Sequence, residues 1–399
     1  QYVRDLIDYV RSEGGPGYDP GIGTSSPIWE EYWPGTRTLF DVPGLSHLVI
    51  ELNHDASNGA APTNPVLVYR MSDVTGQQMF VTGEPHTDWA YMVAQDKASL
   101  MRSWIALAYA NGANFMVPIY QWAGGSSFYY SNPAEIVDLY SFIEEHPFLY
   151  DSMKTVSQVA VVYVNTAVRN NSQNIHLAVN QLQAENIPFH LAVAGDDWWD
   201  RRLDDGQLDG ASVIVLSGDE GALDSAQDAY LDAQASRLAP WSDTAGIETI
   251  QPRQITLGNG VGNGDIRVFP RSNPDNPAAP WILHLVNTSL VLGGTNDSVT
   301  THENFSLAVR KDLFGGAPVT AIYHDLDGSD TALAITHTEE DYHFTVPRLD
   351  SYGVVELTTT GVPGTATDPG ETLVHPFEGF DDSAAPGTFV TLDGGGAGN

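Results

Sequence analysis

The chain has 399 residues, 42% of them hydrophobic, enough for two or three domains with sizeable cores. Its 17 Lys and Arg against 51 Asp and Glu leave a net charge of −34, which disfavours nucleic acid and anionic membranes because their phosphates would be repelled. The absence of cysteine excludes disulfides, thiolate catalysis and cysteine metal sites, and no apolar run reaches the ~20 residues of a membrane-spanning helix.

Residues 1–13 read as a helix with Val3, Leu6, Ile7 and Val10 on one face, ended by Gly14-Gly15. The chain starts with Gln and enters this helix at once, so we expect it to begin inside a longer protein, after processing or truncation. The Gly/Pro/aromatic stretch that follows (14–35) is too irregular to predict an element. HLVIEL (47–52) predicts a strand whose tip carries Glu51, Asn53, His54 and Asp55. In that strand Val49 and Glu51 point one way, Ile50 and Leu52 the other. Pro65 opens PVLVYRMSDVTG, read as a short helix, with a strand over LVYRM as the other reading.

The next stretch organises the rest. MFVT (79–82) is a short strand that stops at Gly83 and delivers Glu84 and Pro85 at its C-terminal end. Residues 93–110 run helically with Leu100, Trp104, Leu107 and Ala108 on one face, closed by Asn111-Gly112. FMVPIY (115–120) predicts a further buried strand, ending in Gln121-Trp122, and Pro133 opens another helix with Ile136, Leu139, Tyr140 and Ile143 inward. Strand, helical crossover and parallel strand form the repeating unit of an α/β barrel or open sheet, and the C-terminal strand ends carry the chemistry of such folds.

Beyond residue 156, short apolar strands at 158–165, 187–195 and 211–218 alternate with helices, among them SQNIHLAVNQLQAEN capped by Ser172, as in a small doubly wound domain. No glycine-rich phosphate loop occurs at its first turn, so nucleotide binding has no support. From about 247 the period becomes two, with Gly, Asn, Asp and Pro turns, which predicts an antiparallel β-sandwich. The fold class expected is α/β plus β. Residues 1–155 form the C-terminal part of a (β/α)8 barrel, 156–245 an α/β domain, 246–360 a β-sandwich, and 361–399 a linker and the start of a further module.

Glu84 is the first chemical candidate. Retaining glycoside hydrolysis needs two carboxyl groups roughly 5–5.5 Å apart, one as nucleophile and one as acid/base; the plainer reading is a glutamate in a surface loop. Glu51, His54 and Asp55 form a second cluster, for which capping hydrogen bonds at a strand end are the plainer reading. Trp89, Tyr120, Trp122, Phe128, Tyr129 and Tyr130 fall in loops of one strand-end face, where aromatic rings would stack on sugars; each alone could be packing. A metal site from His54, Asp55 and His86 is a minor alternative, and no metal or cofactor is required. His176, His190 and Trp198-Trp199 read as structural, and Asp325 and Asp327 as a hairpin turn before a calcium loop.

GEP (83–85) followed by MRSWIALAYANGANFMVPIYQW (101–122) resembles the nucleophile strand, helix and last barrel strand of clan-A retaining glycoside hydrolases, and is most similar to family-42 β-galactosidases. Arg102, Trp104, Ala108, Ala110, Gly112 and Ala113 occupy the positions of that helix pattern. The order barrel, flavodoxin-like domain, β-domain agrees as well. The resemblance implies that Glu84 is the nucleophile. The family's acid/base usually follows an Asn at the end of strand 4, whereas Glu51 lies only 33 residues before Glu84, on what should be the neighbouring strand. The acid/base is therefore either Glu51 or a residue preceding this chain.

The expected function is hydrolysis of O-glycosidic bonds in a galactoside-type or marine polysaccharide, with Asn53, His54, His86, Trp89, Tyr120 and Trp122 holding the sugar. The protein is expected to be secreted, with a carbohydrate substrate, no nucleic-acid or membrane partner, and a homo-oligomer mediated by the small α/β domain as one possibility. The alternatives are a non-catalytic carbohydrate-binding or scaffold protein on an incomplete barrel, and a transglycosylase or lyase acting on the same sugars.

Overall fold

The computed structural model describes residues 2–14, 21–25, 47–52, 54, 65–83, 88–89, 91–92, 98–117, 133–170, 172–197, 199–291, 298–314 and 316–358. The chain begins with α1 (Tyr2–Gly14), β1 (Gly21–Ser25), β2 (His47–Leu52), α2 (Val66–Thr75), β3 (Gln78–Gly83), α3 (Ala98–Ala110) and β4 (Asn114–Phe115). The four strands form one parallel sheet in the order β1-β2-β3-β4. Three features differ from what the sequence predicts, and one settles a choice it leaves open. β1 lies in the stretch too irregular to predict an element. An edge strand needs only backbone partners on one side, so a Gly-rich run carries little side-chain signal. Residues 65–76 settle as helix, closed by Gly76 at φ 71° with its N–H on the Ser72 carbonyl. β4 is two residues long and ends before Pro118. In α1 Ile7 is buried, but Leu6, assigned to the same face, is exposed.

Helix α3 explains much of the packing. Of residues 99–110, all but Ser99 and Arg102 are buried, because β4 lies on one side and a strand of the β-rich region on the other. A helix apolar all round belongs in an interior. Its C-terminus uses Gly112 at φ 82°, which donates to the Tyr109 carbonyl, while Ala113 donates to Ala108. A Cβ at 112 would also run into the Arg271 guanidinium. Gly112→Ala is therefore expected to destabilise the protein by about 2–4 kcal/mol, the left-handed backbone and the clash adding together. Urea midpoints of the two proteins check it, and an unchanged midpoint would remove this account of the turn.

The middle of the chain holds α4 (Val137–Glu145), β5 (Lys154–Thr155), β6 (Val159–Val164), α5 (Asn165–Arg169), α6 (Asn174–Ala184), β7 (His190–Ala194), β8 (Val213–Leu216), α7 (Ser225–Asp232), β9 (Leu238–Pro240) and α8 (Thr244–Ile250). β6 to β9 form a second parallel sheet, order β7-β6-β8-β9. β6 shows why such strands read as unbroken apolar runs. Val159, Val161 and Tyr163 enter the core shared with α2 and α3, while Ala160, Val162 and Val164 enter a second core behind the sheet. Ser172 caps less directly than its position suggests: its hydroxyl accepts from Asn174 N–H, but Gln173 occupies the cap.

The last stretch is antiparallel. β10 (Ile255–Gly258), β11 (Ile266–Ser272), β12 (Trp281–Asn287), a small pair β13 (Leu290–Val291) and β14 (Ser298–Val299), β15 (His302–Arg310), β16 (Thr320–Asp325), β17 (Asp330–Ala332), β18 (Thr336–His337), β19 (Asp341–Leu349) and β20 (Tyr352–Thr358) follow in turn. A six-stranded sheet, β17-β16-β20-β12-β11-β5, faces the four-stranded sheet β10-β15-β19-β18. Leu283, Leu285, Val355 and Leu357 of the first meet Phe305, Leu307, Phe344 and Val346 of the second in one core. The reverse face of the six-stranded sheet is covered too, since Ile282, Val286, Tyr352 and Val354 join the core of α3. This is why β20 is buried along its whole length and β15 alternates.

The three stretches meet at a buried polar junction. Asp73 of α2 faces Arg271 of β11 at 3.1 Å, Arg70 at 3.8 Å and Lys154 at 3.8 Å, and accepts from the Thr155 hydroxyl at 2.6 Å. Burial would push the Asp73 carboxyl up, but Arg271, Arg70, Thr155 and Lys154 together hold it below the usual carboxylate range. Arg70 lies over the rings of Phe189 and Phe269, at 5.4 and 5.7 Å. Among the described residues no helix is long and apolar enough to cross a membrane.

Candidate active site at the ends of parallel strands

β2 and β3 are parallel neighbours, with Glu51 beside Thr82 and Leu52 beside Gly83. In sequence, Glu84 is the residue after the end of the strand next to the one that carries Glu51. The pleat sorts the β2 side chains cleanly: Leu48, Ile50 and Leu52 are buried, while His47, Val49 and Glu51 are half-buried. Glu51 thus sits on the less covered face of the sheet, and His47 meets Phe80 of β3 edge-on at 5.7 Å on that same face. Glu84, Asn53, His86, Tyr120 and Trp122 lie outside the described residues, as do Asp55, Phe128, Tyr129 and Tyr130.

The sequence sets His54 and Trp89 against the sugar; the structure encloses both, each 2% exposed, beneath the strand ends. His54 stacks on Trp104 of α3 at 4.3 Å between centroids and meets Phe115 edge-on. Its Nδ1 lies 2.7 Å from the Leu52 carbonyl and 3.2 Å from Asp88 Oδ2, and its backbone N–H donates to the same Asp88 oxygen at 2.7 Å. Two acceptors on Nδ1 place the proton there, which leaves Nε2 to accept from the Tyr69 hydroxyl at 3.3 Å. Burial and the Asp88 charge keep that phenol protonated far above its ordinary range. Trp89 donates from its indole to Thr82 Oγ1 at 3.2 Å and packs against Trp104 and Phe115.

This floor does two things. It fixes the chain as it leaves β2, because His54 is anchored through both backbone and ring, and it fixes the last turn of β3 through Thr82. One aromatic cluster thus holds the C-terminal ends of β2 and β3. Asp88 and Tyr69 escape sequence reasoning: they lie 34 and 15 residues from His54, and neither spacing carries a signal. Arg102, part of the helix pattern seen in the sequence, reaches outward instead. It grips Asp138 with a two-pronged contact at 2.6 and 2.7 Å and donates to the Glu135 carbonyl at 2.8 Å, tying α3 to α4.

At the carboxyl ends of β6 and β7, Asp196 is satisfied by Asn165, Thr166 and Arg169 at 3.1, 3.0 and 2.9 Å. His176 is buried, and burial pushes its imidazole down to about 3; burial lowers His190 as well. Asp327 accepts from the Ser329 backbone and hydroxyl beside Gly328 at φ 79°, a hairpin turn between β16 and β17.

No family model matches the chain. It is similar to the alpha-agarase of Thalassotalea agarivorans, 26% identical over 368 residues, and to that of Alteromonas agarilytica, 24% identical over 368 residues. In each case 90% of this chain is covered, but only 24% and 25% of the relative. The chain therefore spans about a quarter of the length of the curated relatives it matches. Among solved structures it resembles alpha-L-fucosidase isoenzyme 2 from Paenibacillus thiaminolyticus with a TM-score of 0.51 at 13% identity, over 79% of this chain and 65% of that one. That likeness concerns the fold.

Proposed function

We propose that this chain is part of a secreted glycoside hydrolase that cleaves glycosidic bonds in an agar-type galactan. The observation that carries the proposal is the continuous similarity to two alpha-agarases across 90% of the chain, which runs through the strand-end region and both regions that follow it. The parallel sheet of β1 to β4 is read as the C-terminal part of a (β/α)8 barrel, followed by a flavodoxin-like domain and a β-sandwich. The fold likeness to a fucosidase supports a glycosidase scaffold of this kind.

In this reading Glu84 attacks the anomeric carbon and forms a covalent glycosyl-enzyme intermediate. Glu51, on the neighbouring strand, or a glutamate preceding this chain, protonates the departing glycosidic oxygen. It then takes a proton from the water that releases the sugar. Asn53, His86, Tyr120 and Trp122 hold the sugar ring, while His54 and Trp89 act from below by fixing the strand ends. Glu51 is half-buried, on the less covered face of the sheet.

The test is to incubate the chain, and a form extended at its N-terminus, with agarose and follow new reducing ends and the anomer first released. Reducing ends with retained configuration are expected. Binding of agarose by both forms without any new reducing ends would replace this reading with that of a carbohydrate-binding scaffold. Unsaturated ends would point to a lyase instead.

A further inference from the structure

Far in sequence from the strand-end site, four residues converge where α4 meets the six-stranded sheet. His146 follows α4 and is half-buried; His324 of β16 is buried; Asp330, the first residue of β17, is exposed; Glu356 of β20 is 1% exposed. The hairpin places Asp330 directly across from His324, and the β16–β20 pairing sets Glu356 across from Ile322, diagonal to His324. The two imidazole rings lie 5.5 Å apart between centroids. One ligand atom each from His146, His324 and Asp330 fall within 4.8 Å of one another.

The orientation of the rings is more informative than their proximity. His146 Nδ1 lies 2.8 Å from the Phe142 carbonyl, so it carries the proton and leaves the Nε2 lone pair free to coordinate. His324 Nε2 lies 3.0 Å from Glu356 Oε2, a contact that places a proton there and turns Nδ1 toward Asp330 at 2.7 Å. His324 is thus held at both nitrogens, by Asp330 and Glu356, and His146 at Nδ1 by a backbone carbonyl, so each ring has an oxygen acceptor behind the nitrogen that would face an ion. That is the arrangement by which proteins orient imidazoles that bind metal.

We propose that His146, His324 and Asp330 bind one divalent transition-metal ion of the zinc type, with Glu356 orienting His324 from behind. Two imidazoles, with His324 giving up its Nδ1 proton as the ion binds, and one carboxylate suit zinc and its neighbours, whereas calcium and magnesium take oxygen-rich sets. Ligands about 2.0–2.2 Å from a tetrahedral ion lie roughly 3.3–3.6 Å apart, so the observed spread closes with small side-chain movements. The solvent-exposed side of Asp330 leaves the fourth position to water. The ion would join the end of α4 to the β16–β17 hairpin, and its role here is to clamp those elements.

The experiment is equilibrium dialysis of the metal-free chain against zinc chloride, with bound metal measured, alongside cobalt(II) absorption in the visible. One equivalent of zinc with an imidazole-type cobalt spectrum is expected. His146→Ala and Asp330→Asn, both at accessible positions, should each weaken zinc binding by at least about tenfold, and Glu356→Gln by about 10–100-fold. Circular dichroism of each variant separates loss of the ion from loss of the fold, and a His324 substitution is avoided because that ring is buried. A wild-type chain that binds no zinc would overturn the proposal, leaving His324 as an imidazolium held between Asp330 and Glu356. Equal zinc binding by the wild type and the His146→Ala and Asp330→Asn variants would overturn it as well, by assigning the metal to the acidic surface.

Discussion

Replacing Glu84 by glutamine is expected to lower the rate of agarose cleavage by a factor on the order of 10³–10⁵ while changing agarose binding only a few-fold. The amide keeps the size and most of the hydrogen bonding of the carboxylate, but it cannot form the bond to the anomeric carbon. Its effect therefore falls on the transition state and not on the bound ground state. The measurement is kcat and KM on soluble agar fragments, in the form of the protein that releases reducing ends. A further variant, Glu84→Gly, separates the two carboxylate roles. Azide should enter the space left by the side chain and yield a glycosyl azide of inverted configuration, a product that loss of a general acid does not give. A fall in kcat of less than about tenfold in Glu84→Gln would mean that another residue is the nucleophile.

The second large effect is on stability. Asp73→Ala is expected to cost about 3–5 kcal/mol, because it strips the counter-charge from Arg271 and Arg70, both 2% exposed. Removing one partner of a buried pair is worse than removing both, so the double variant Asp73→Ala, Arg271→Met should recover part of the loss. The pH dependence has a definite sign. The folded carboxyl titrates below its ordinary value of 3.8, so its contribution is complete at neutral pH and fades as the pH drops below that value. The stability gap between wild type and Asp73→Asn should therefore narrow in acid. Urea midpoints at pH 7 and near pH 3 measure this, and a gap that widens in acid would contradict the pairing described.

The elements legible in the sequence are those whose side chains alternate or repeat against a single core. β2 is the clearest case: the two-residue period of HLVIEL alone separates Glu51 from Ile50 and Leu52, and the burial pattern follows that division. What the sequence hides depends on partners remote along the chain. Nothing near Asp73 announces Arg271, which lies 198 residues away. Nothing near His54 announces Asp88, and β1 leaves no trace because its pairing is carried by the backbone alone. Nothing in the sequence links the histidines at 146 and 324, because they meet only where the end of α4 packs against β16.

Helix α3 has a consequence for anyone who wishes to redesign this protein. With strands packed on two sides and only Ser99 and Arg102 of residues 99–110 not buried, it offers few positions where a new side chain would go unnoticed. Directed evolution should leave residues 98–110 fixed and spend its diversity on the segments beyond the strand tips. A library spread evenly over the chain would lose most of its members mutated in this helix to misfolding before any altered substrate preference could be selected.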